Sequence, residues 1–409
     1  MTSTEIKLID THTHLYLDQF DDDREEVMIR CFESGIETIL LPNINFIYTF
    51  SYKDKREKHW MQEKKIIAML GGGQLGLMFT EKAQMMGEKV LILDPDPDCP
   101  AGKIADKFIN ADYLNIEALK IIIDNCDVCT TEFENIPYEA LNEMNKLKSV
   151  LPKPSVNRLI QHRLAEKDFI NKLNIRTTRY TSIEKKSDLE TLEDFLPGIL
   201  KTTTMGYDGK GQFPIKRIEE LEALKIDFSK GYMLEKLVKL KKEISVIITR
   251  FGNNDYQIYD PIENIHQDQI LKHSKIPAEI SKIILSQSKD WATQIAEELK
   301  YIGTLCVEFF IDRNENLYVN EIAPRVHNSG HLTINAYNIS QFENHVRAVC
   351  SLEQIPLNKI SNAEMINLIG DQIIPYRNNP EINDNQFFFD YFKKEIKEKR
   401  KMGHLTTLK

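Results

Sequence analysis

Short apolar runs alternate with amphipathic segments in the stretch that follows residue 64. KIIAML (65–70) and KVLILD (89–94) are apolar runs of strand length, and a segment with helical spacing follows each of them. The run DVCTTEF (127–133) closes the series. This alternation predicts βαβ units around a parallel sheet whose faces are covered by helices.

The pattern changes after Pro152 and Pro154. A helical stretch over 156–173 is followed by shorter strands and helices as far as about residue 240, which predicts a domain boundary near 155–175. The next region combines a strand, a long amphipathic helix and two apolar strands, predicted at 241–250, 279–300, 304–312 and 316–322. From about residue 355 the chain returns to short strands and loops.

The composition is that of a soluble globular protein. The 409 residues are 42% hydrophobic and 28% charged, which excludes collagen-like, mucin-like and wholly disordered chains. There is no apolar run of membrane-spanning length and no signal-peptide pattern, so we expect a cytoplasmic protein without membrane partners. Six cysteines do not form a disulfide framework, and Cys126 and Cys129 are interpreted as strand-packing residues.

The net charge of −9 is concentrated near the N-terminus, where residues 1–45 hold ten acidic and three basic side chains. The rest of the chain is nearly neutral and has no long basic stripe, which argues against binding of nucleic acid. A short basic run, KKEIKEKRKMGH (393–404), is the exception and needs a separate explanation.

A glycine loop follows the first predicted strand of the main body. Gly71, Gly73 and Gly76 form GxGxxG before a helix, and Asp94 ends the next strand. This is the dinucleotide-binding fingerprint in its usual context, and we expect the loop to meet a phosphate. By itself the motif favours an oxidoreductase that uses NAD, although a sugar monophosphate would use the same amides and a turn without a ligand is the alternative.

A second loop and two acidic residues indicate nucleotide and metal binding. Lys201 ends an apolar run and precedes a loop with three glycines and Lys210, which suits a triphosphate or, alternatively, a surface hairpin. Glu308 lies within LCVEFF, and Glu321 follows Asn320 at the end of LYVNE. Acidic residues in buried strands are costly unless paired or bound to a cation, so the three oxygen-bearing side chains predict a Mg²⁺ site. An ion pair between Glu321 and Arg325 is the alternative.

The segment APRVHNSGH (323–331) follows this site directly. It groups guanidinium, imidazole, amide and hydroxyl side chains within a few residues, namely Arg325, His327, Asn328, Ser329 and His331. Such a set suits a small planar oxyanion such as bicarbonate or a carboxylate. A polar loop that caps a helix is the alternative.

Together these motifs closely resemble the 5-(carboxyamino)imidazole ribonucleotide synthetases, a family of ATP-grasp enzymes of purine biosynthesis. The resemblance covers about residues 64–404, and its motifs occur in family order: GGGQLG (71–76), TEFEN (131–135), KTTTMGYDGKGQ (201–212), Glu235 and Glu243, ENIH (263–266), VEFF (307–310), VNEIAPRVHNSGH (319–331), SQFENHVRA (340–348) and KMGH (401–404).

The resemblance implies a mixed α/β and α+β fold, with a Rossmann-like pre-ATP-grasp domain, an ATP-grasp fold and a small β-rich C-terminal domain. The implied segments are 64–160 for the first domain, 161–240 for the small ATP-grasp subdomain with its lid loop, 241–352 for the large subdomain with the metal site, and 353–409 for a C-terminal domain that is shorter than usual. It also implies a homodimer and a carbon–nitrogen ligase that joins ATP, bicarbonate and aminoimidazole ribonucleotide. Related ATP-grasp ligases, such as the formate-using glycinamide ribonucleotide transformylase or biotin carboxylase, are the alternatives.

The resemblance also implies the site residues. Contacts with ATP would fall on Arg163, Lys201, Gly206, Tyr207, Asp208, Gly209, Lys210, Gly211, Gln212, Glu235, Lys236, Leu237, Val238, Glu243 and His266. Mg²⁺ would bind Glu308 and Glu321 with help from Asn320. Bicarbonate, and the carboxyphosphate formed from it with the aid of Lys201, would meet Arg325, His327 and Asn328. The ribonucleotide would contact Gln74, with its phosphate near Lys394, Arg400 and Lys401.

Residues 7–44 resemble a different family, the TatD-like metal-dependent nucleases. His12 and His14 follow an apolar strand, and the pattern HxH places both imidazoles on one face, as a metal site requires. A (β/α)8 barrel needs roughly 250 residues, so we interpret residues 1–45 as an incomplete barrel fragment and 46–63 as a linker. A nuclease is therefore the alternative function from another class.

Overall fold

The chain divides into two compact units, Met1–Glu63 and Lys64–Lys409. The computed structural model describes residues 8–10, 30, 36–42, 47–51, 64–204, 211–224, 226–378 and 381–409. The second unit contains every site residue that the family resemblance implies.

The first unit contains three described strands, β1 (Leu8–Asp10), β2 (Ile36–Pro42) and β3 (Ile47–Ser51). Strand β2 pairs in parallel with β1 and antiparallel with β3. The parallel pair needs a crossover connection, as a βαβ unit has. The expected linker 46–63 instead contributes β3, whose β-branched and aromatic residues favour a strand. His12 and His14 lie outside the described residues.

A five-stranded parallel sheet opens the second unit. Its strands are β4 (Ile66–Leu70), β5 (Lys89–Asp94), β6 (Lys107–Asn110), β7 (Val128–Thr131) and β8 (Ser149–Val150), in the order β6-β5-β4-β7-β8. The helices between these strands are α1 (Gln74–Met85), α2 (Ile116–Asn125) and α3 (Tyr138–Asn145). The predicted parallel sheet with intervening helices is present, and the direction in which strands are added reverses at β4.

Strand β4 explains why this sheet has a core on both faces. Ile67 and Met69 pack into one apolar cluster, whereas Ala68 and Leu70 pack into another on the opposite face. All four are at most 1% exposed. Alternate side chains of a strand point to opposite faces, so an unbroken apolar run is what a sheet covered on both sides requires.

The next region is a small antiparallel sheet that follows the helices α4 (Pro154–Ile160) and α5 (Arg163–Lys172). Its strands are β9 (Tyr180–Ile183), β10 (Gly198–Thr202), β11 (Gln212–Ile215) and β12 (Tyr232–Lys236), in the order β11-β10-β12-β9. The short helix α6 (Ile218–Ala223) lies between β11 and β12. Residues 205–210, which include most of the predicted lid loop, lie outside the described residues.

A nine-stranded sheet forms the rest of the unit. Its strands are β13 (Leu240–Arg250), β14 (Tyr256–Ile258), β15 (Ile262–Gln267), β16 (Ile270–Ile276), β17 (Gly303–Asp312), β18 (Leu317–Ala323), β19 (Ala363–Ile369), β20 (Gln386–Asp390) and β21 (Lys401–Leu408). The order is β18-β17-β13-β15-β16-β19-β21-β20, with β14 beside β13. The C-terminal strands thus extend the same sheet. The helices are α7 (Lys282–Glu298), α8 (Thr333–Ala336), α9 (Gln341–Cys350) and α10 (Ile374–Asn378).

Helix α9 connects the parallel sheet to the large sheet through His345, which is 1% exposed. Its Nδ1 accepts a hydrogen bond of 2.9 Å from the backbone N–H of Thr304 in β17. The opposite nitrogen, Nε2, lies 2.9 Å from Oγ1 of Thr130 in β7. One neutral imidazole therefore satisfies polar groups from both sheets.

We expect acid to weaken this connection. Burial lowers the pKa of His345 to about 4, from an ordinary value of 6.5. The unfolded chain therefore takes up a proton before the folded one does, and His345 costs about 3 kcal/mol of stability as the pH falls from 6.5 through 4. Urea unfolding of His345→Asn should show less stability than the parent at pH 7 and a shallower loss on acidification.

Thr249, a buried residue of β13 whose hydroxyl bonds to Thr304, provides a control without a titratable side chain. Thr249→Val should keep the parent's dependence of unfolding free energy on pH. An unchanged pH dependence in His345→Asn would contradict the prediction.

Candidate active site

The backbone N–H groups of the glycine loop are bound by carboxylates of the same chain. Glu132, which follows β7, accepts hydrogen bonds from the backbone N–H groups of Gly73 (2.5 Å) and Leu75 (3.0 Å). The N–H of Gly72 donates to Oδ2 of Asp94 at 2.7 Å. The expectation that this loop binds a phosphate is therefore wrong for these amides, because carboxylates at the ends of β5 and β7 already neutralise the N-terminus of α1.

Gln74, beside this loop, lies next to the C-terminal basic run. Its Oε1 accepts a hydrogen bond of 2.6 Å from Nζ of Lys393, which also donates to the carbonyl oxygen of Lys401. Lys394, the predicted phosphate contact, instead pairs with Asp98 at 3.3 Å. The predicted basic run therefore lies beside Gln74, and the phosphate contact predicted for Lys394 stays a prediction.

Arg400 lies in the same C-terminal run. Its Nη1 donates to the carbonyl oxygen of Glu395 at 3.3 Å, an interaction within that run. The ribonucleotide contact predicted for this arginine therefore stays a prediction.

Among the predicted ATP contacts, Glu235 of β12 lies between two lysines. Its Oε2 is 2.7 Å from Nζ of Lys201, and its Oε1 is 3.1 Å from Nζ of Lys167. Burial alone would raise the pKa of Glu235, but the two ammonium groups outweigh it and lower the pKa to about 2. Lys201 and Glu235 were predicted to share a site, and the pairing of β10 with β12 brings them together.

Lys167 was not predicted. It is 2% exposed, donates to the hydroxyls of Thr177 and Thr178, and also donates to the carbonyl oxygen of Asn320. It therefore connects α5 to the strand that carries Glu321. In the sequence it is one lysine on an amphipathic helix, and such a lysine is normally solvated.

Other predicted ATP contacts lie on strands of the two antiparallel sheets. Glu243 of β13 and His266 of β15 form an ion pair with 2.5 Å between Oε2 and Nδ1. Burial lowers the pKa of His266, but the bond to Glu243 and the nearby Glu308 more than compensate, so its pKa is raised. Gln212 is the register partner of Lys201, and Lys236 donates to the carbonyl oxygen of Asp194.

The remaining ATP contacts predicted from the sequence fall into two groups. Those in the lid loop, Gly206, Tyr207, Asp208, Gly209 and Lys210, lie outside the described residues, whereas Gly211, Leu237 and Val238 lie in the described segments on either side of β11 and β12.

Glu308 and Glu321 face each other across β17 and β18. They are register partners at a β-bulge, and Glu308 is 14% exposed in its side chain. Burial and the charge of Glu321 raise the pKa of Glu308 to about 7. Nη1 of Arg163 lies 3.7 Å from Glu321, and Oδ1 of Asn320 is buried with no partner among the described residues. Arg163 therefore offsets part of the negative charge of this acidic pair.

The loop after β18 places two cationic or polar groups beside these acids. Nε2 of His327 lies 3.1 Å from Oε1 of Glu308. Nε of Arg325 lies 2.6 Å from Oε2 of Glu134, in the motif after β7. Burial lowers the pKa of His327 well below its ordinary value, and Arg325 adds to the effect. Arg325 and His327 are thus brought to the acidic pair, as predicted.

Asn328 has a different environment from its two neighbours. Its amide exchanges hydrogen bonds with Asn367 of β19, with distances of 2.6 and 3.2 Å, and it also contacts the hydroxyl of Tyr391. It is 6% exposed. Contact of Asn328 with bicarbonate therefore stays a prediction, and in this structure its side chain is engaged by the C-terminal strands.

Models of three protein families match the second unit. Residues 64–161 match the ribonucleotide synthetase preATP-grasp domain, residues 168–342 match the ATP-grasp domain, and residues 363–409 match the phosphoribosylaminoimidazole carboxylase C-terminal domain. In the part of the chain that the structure describes, no helix is long and apolar enough to cross a membrane.

Named relatives and solved structures are similar to the same region of the chain. N5-carboxyaminoimidazole ribonucleotide synthase of Bacillus subtilis is 40% identical over 348 residues, 84% of this chain and 91% of the relative. The Staphylococcus aureus enzyme solved with ADP is 38% identical, with a TM-score of 0.80, over 84% of this chain and 93% of that one. The Aspergillus clavatus enzyme, solved with ADP and 5-aminoimidazole ribonucleotide, is 29% identical, with a TM-score of 0.78, over 85% and 95%.

The family matches, the identity and the shared fold agree with the grouping of acidic side chains, lysines, Arg325 and His327 described above. The chain therefore belongs to the N5-carboxyaminoimidazole ribonucleotide synthase family, the ATP-dependent carbon–nitrogen ligases of purine biosynthesis.

Proposed function

We propose that the second unit activates bicarbonate with ATP at the ends of β17 and β18 and transfers the carboxylate to the amine of aminoimidazole ribonucleotide. One observation carries this proposal: the acidic pair Glu308 and Glu321 lies beside Arg325 and His327. A site for a cation and a site for a small oxyanion are thus adjacent, as phosphorylation of bicarbonate requires.

Lys201 and Glu235 support the nucleotide end of this site. Lys201 is 6% exposed and anchored by β10, so its ammonium group is held in place when it meets the phosphates. Lys167 neutralises the other oxygen of Glu235, which leaves the triad with a net positive charge. A fixed positive charge stabilises a transferring phosphoryl group without the cost of reorganisation.

The donor set fits Mg²⁺. Glu308 and Glu321 offer carboxylate oxygens, and Asn320 offers a buried amide oxygen with no partner among the described residues. Burial of Glu308 and the nearby charge of Glu321 raise the pKa of Glu308. A carboxylate that ligates a cation beside a second carboxylate is expected to show this when the cation is absent. When bound, Mg²⁺ would offset the charge on the phosphate oxygens.

Arg325 and His327 would hold the anion. An oxygen of bicarbonate attacks the γ-phosphorus, ADP leaves, and carboxyphosphate remains beside the two side chains. The amine of the ribonucleotide then attacks the carboxyl carbon, and phosphate leaves. Glu134 fixes the guanidinium of Arg325 by a bond of 2.6 Å, so the positive charge stays in position while the labile intermediate exists.

The ribonucleotide would bind near Gln74 and the C-terminal basic run. The Aspergillus clavatus relative was solved with 5-aminoimidazole ribonucleotide, and this chain brings Gln74 and Lys393 together at 2.6 Å. Arg400 and Lys401 lie in the same run and add positive charge for a phosphate. A homodimer that acts in the cytoplasm stays a prediction from the family resemblance.

Release of ADP tests the reaction as a whole. It should require Mg²⁺ and bicarbonate and should rise when aminoimidazole ribonucleotide is added, because the anion and amine sites adjoin the nucleotide. Glycinamide ribonucleotide with formate serves as the comparison, and equal stimulation by that pair would contradict the assigned substrates.

Removing either acid should impair the chemical step. Glu308→Gln and Glu321→Gln should each lower kcat by roughly 100-fold, about 3 kcal/mol of transition-state stabilisation, because the cation loses an anionic ligand. Steady-state kinetics across a Mg²⁺ titration would measure this. Glu364→Gln, on β19 of the same sheet, should keep normal kcat. Near-normal turnover in both site variants would move the metal site elsewhere.

The first unit should be dispensable for this activity. A chain that begins at Met61 keeps the five-, four- and nine-stranded sheets and all proposed site residues. We therefore expect its kcat and its KM values to stay within about twofold of the parent. Assays of both chains under one set of conditions would check this. A loss of activity or stability would contradict it, as would DNA cleavage by the full chain that His12→Ala abolishes.

A further inference from the structure

A row of buried polar side chains leads from the interior of the large sheet to His327. Its members are Ser274 of β16, Asn264 of β15, Ser245 of β13 and Ser329 in the loop after β18. The three serines are 0% exposed, and Asn264 is 5% exposed. Buried hydroxyl and amide groups must satisfy one another, so the direction of each hydrogen bond constrains the next.

The first two bonds set that direction. The hydroxyl of Ser274 donates to Oδ1 of Asn264 at 2.9 Å, and Nδ2 of Asn264 donates to Oγ of Ser245 at 2.9 Å. The single hydroxyl proton of Ser245 is then available for Oγ of Ser329, which lies 2.8 Å away. The proton of Ser329 is in turn available for Nδ1 of His327, at 2.9 Å.

A backbone group gives the same direction independently. The N–H of Ser329 also points at Nδ1 of His327, at 3.4 Å. An amide N–H can only donate, so Nδ1 must present a lone pair to both donors. The ring therefore carries its proton on Nε2, which lies 3.1 Å from Oε1 of Glu308.

We propose that Ser329, Ser245 and Asn264 are positioning residues that hold His327 in the tautomer protonated on Nε2, so that it donates a hydrogen bond to the bicarbonate-derived anion and does not serve as a base. The role of the anion rests on the proposed function, whereas the tautomer follows from the hydrogen bonds alone. In the absence of substrate the same nitrogen lies 3.1 Å from Oε1 of Glu308.

This tautomer also determines whether His327 can act as a hydrogen-bond donor or as a metal ligand. Ligand atoms of Cys306, Glu308 and His327 lie within 4.8 Å of one another, a spacing that would suit a soft divalent metal. A metal on Nε2 would need the lone pair there and a proton on Nδ1. The two donors at Nδ1 oppose that arrangement, so the geometry favours a hydrogen-bond donor over a metal ligand at His327.

The tautomer can be read directly by nitrogen NMR. The full chain, with ¹⁵N-labelled histidine and no substrate, should show the proton of His327 on Nε2, with the resonance assigned by its absence in His327→Gln. A proton on Nδ1 in the wild-type chain overturns the proposal, whatever the activity measurements show.

Variants of Ser245 test the link to the anion. Ser245→Ala frees the hydroxyl of Ser329 and should give His327 a mixed tautomer, while the KM for bicarbonate rises about tenfold and the KM for ATP stays unchanged. Ser245→Thr keeps the hydroxyl and should restore both readouts. Asn264→Asp replaces the donating amide by an acceptor and should shift the tautomer in the same direction as Ser245→Ala.

Thr249→Val is the matched control. It removes a buried hydroxyl of β13, the strand that also carries Ser245. This hydroxyl pairs with Thr304 of β17 and does not touch the row that ends at His327. It should leave the tautomer and the KM for bicarbonate unchanged. A shifted tautomer in Ser245→Ala with an unchanged KM for bicarbonate would overturn the donor role. Wild-type ADP release that needs no bicarbonate would instead refute the proposed function and leave the NMR result standing.

Discussion

The site depends on the repulsion between two carboxylates placed opposite each other on β17 and β18. Strand register fixes Glu308 and Glu321 as partners, and the burial of Glu308 together with the charge of Glu321 raises the pKa of Glu308 to about 7. Every cationic or donating group nearby reduces that cost, as Arg163 and His327 do. The protein thus holds an unfavourable charge pattern that the proposed cation would relieve.

The glycine loop illustrates how a phosphate motif can be retained without its usual ligand. The backbone amides at the start of α1 face a carboxylate of the same chain, Glu132, in the position where an anion would otherwise bind. The N–H groups oppose the burial that raises the pKa of Glu132. The loop therefore stabilises the fold at the switch point of the parallel sheet, and the proposed ATP contacts lie on the other two sheets.

Sequence patterns predicted the parts of the site that lie on strands. Glu308 and Glu321 interrupt apolar runs, and that pattern is sufficient to mark them as buried acids. Lys167, Glu134 and Lys393 could not be found in the same way, because each is a charged residue in a polar surrounding whose partner is distant in the chain. The bond between Arg325 and Glu134, for example, joins residues 191 positions apart. The order of the strands creates such pairs, and local periodicity does not encode that order.

Strands β19 and β21 continue the sheet that carries the acidic pair, through the pairing of β16 with β19. The backbone N–H and C=O groups along one side of β16 are therefore satisfied only while the C-terminal strands are in place. A chain that lacked them would expose a long free edge beside an apolar face, which is a template for association with other copies. Completion of synthesis would then determine solubility, because the last strands shield that edge, and it would also bring Lys393 to Gln74.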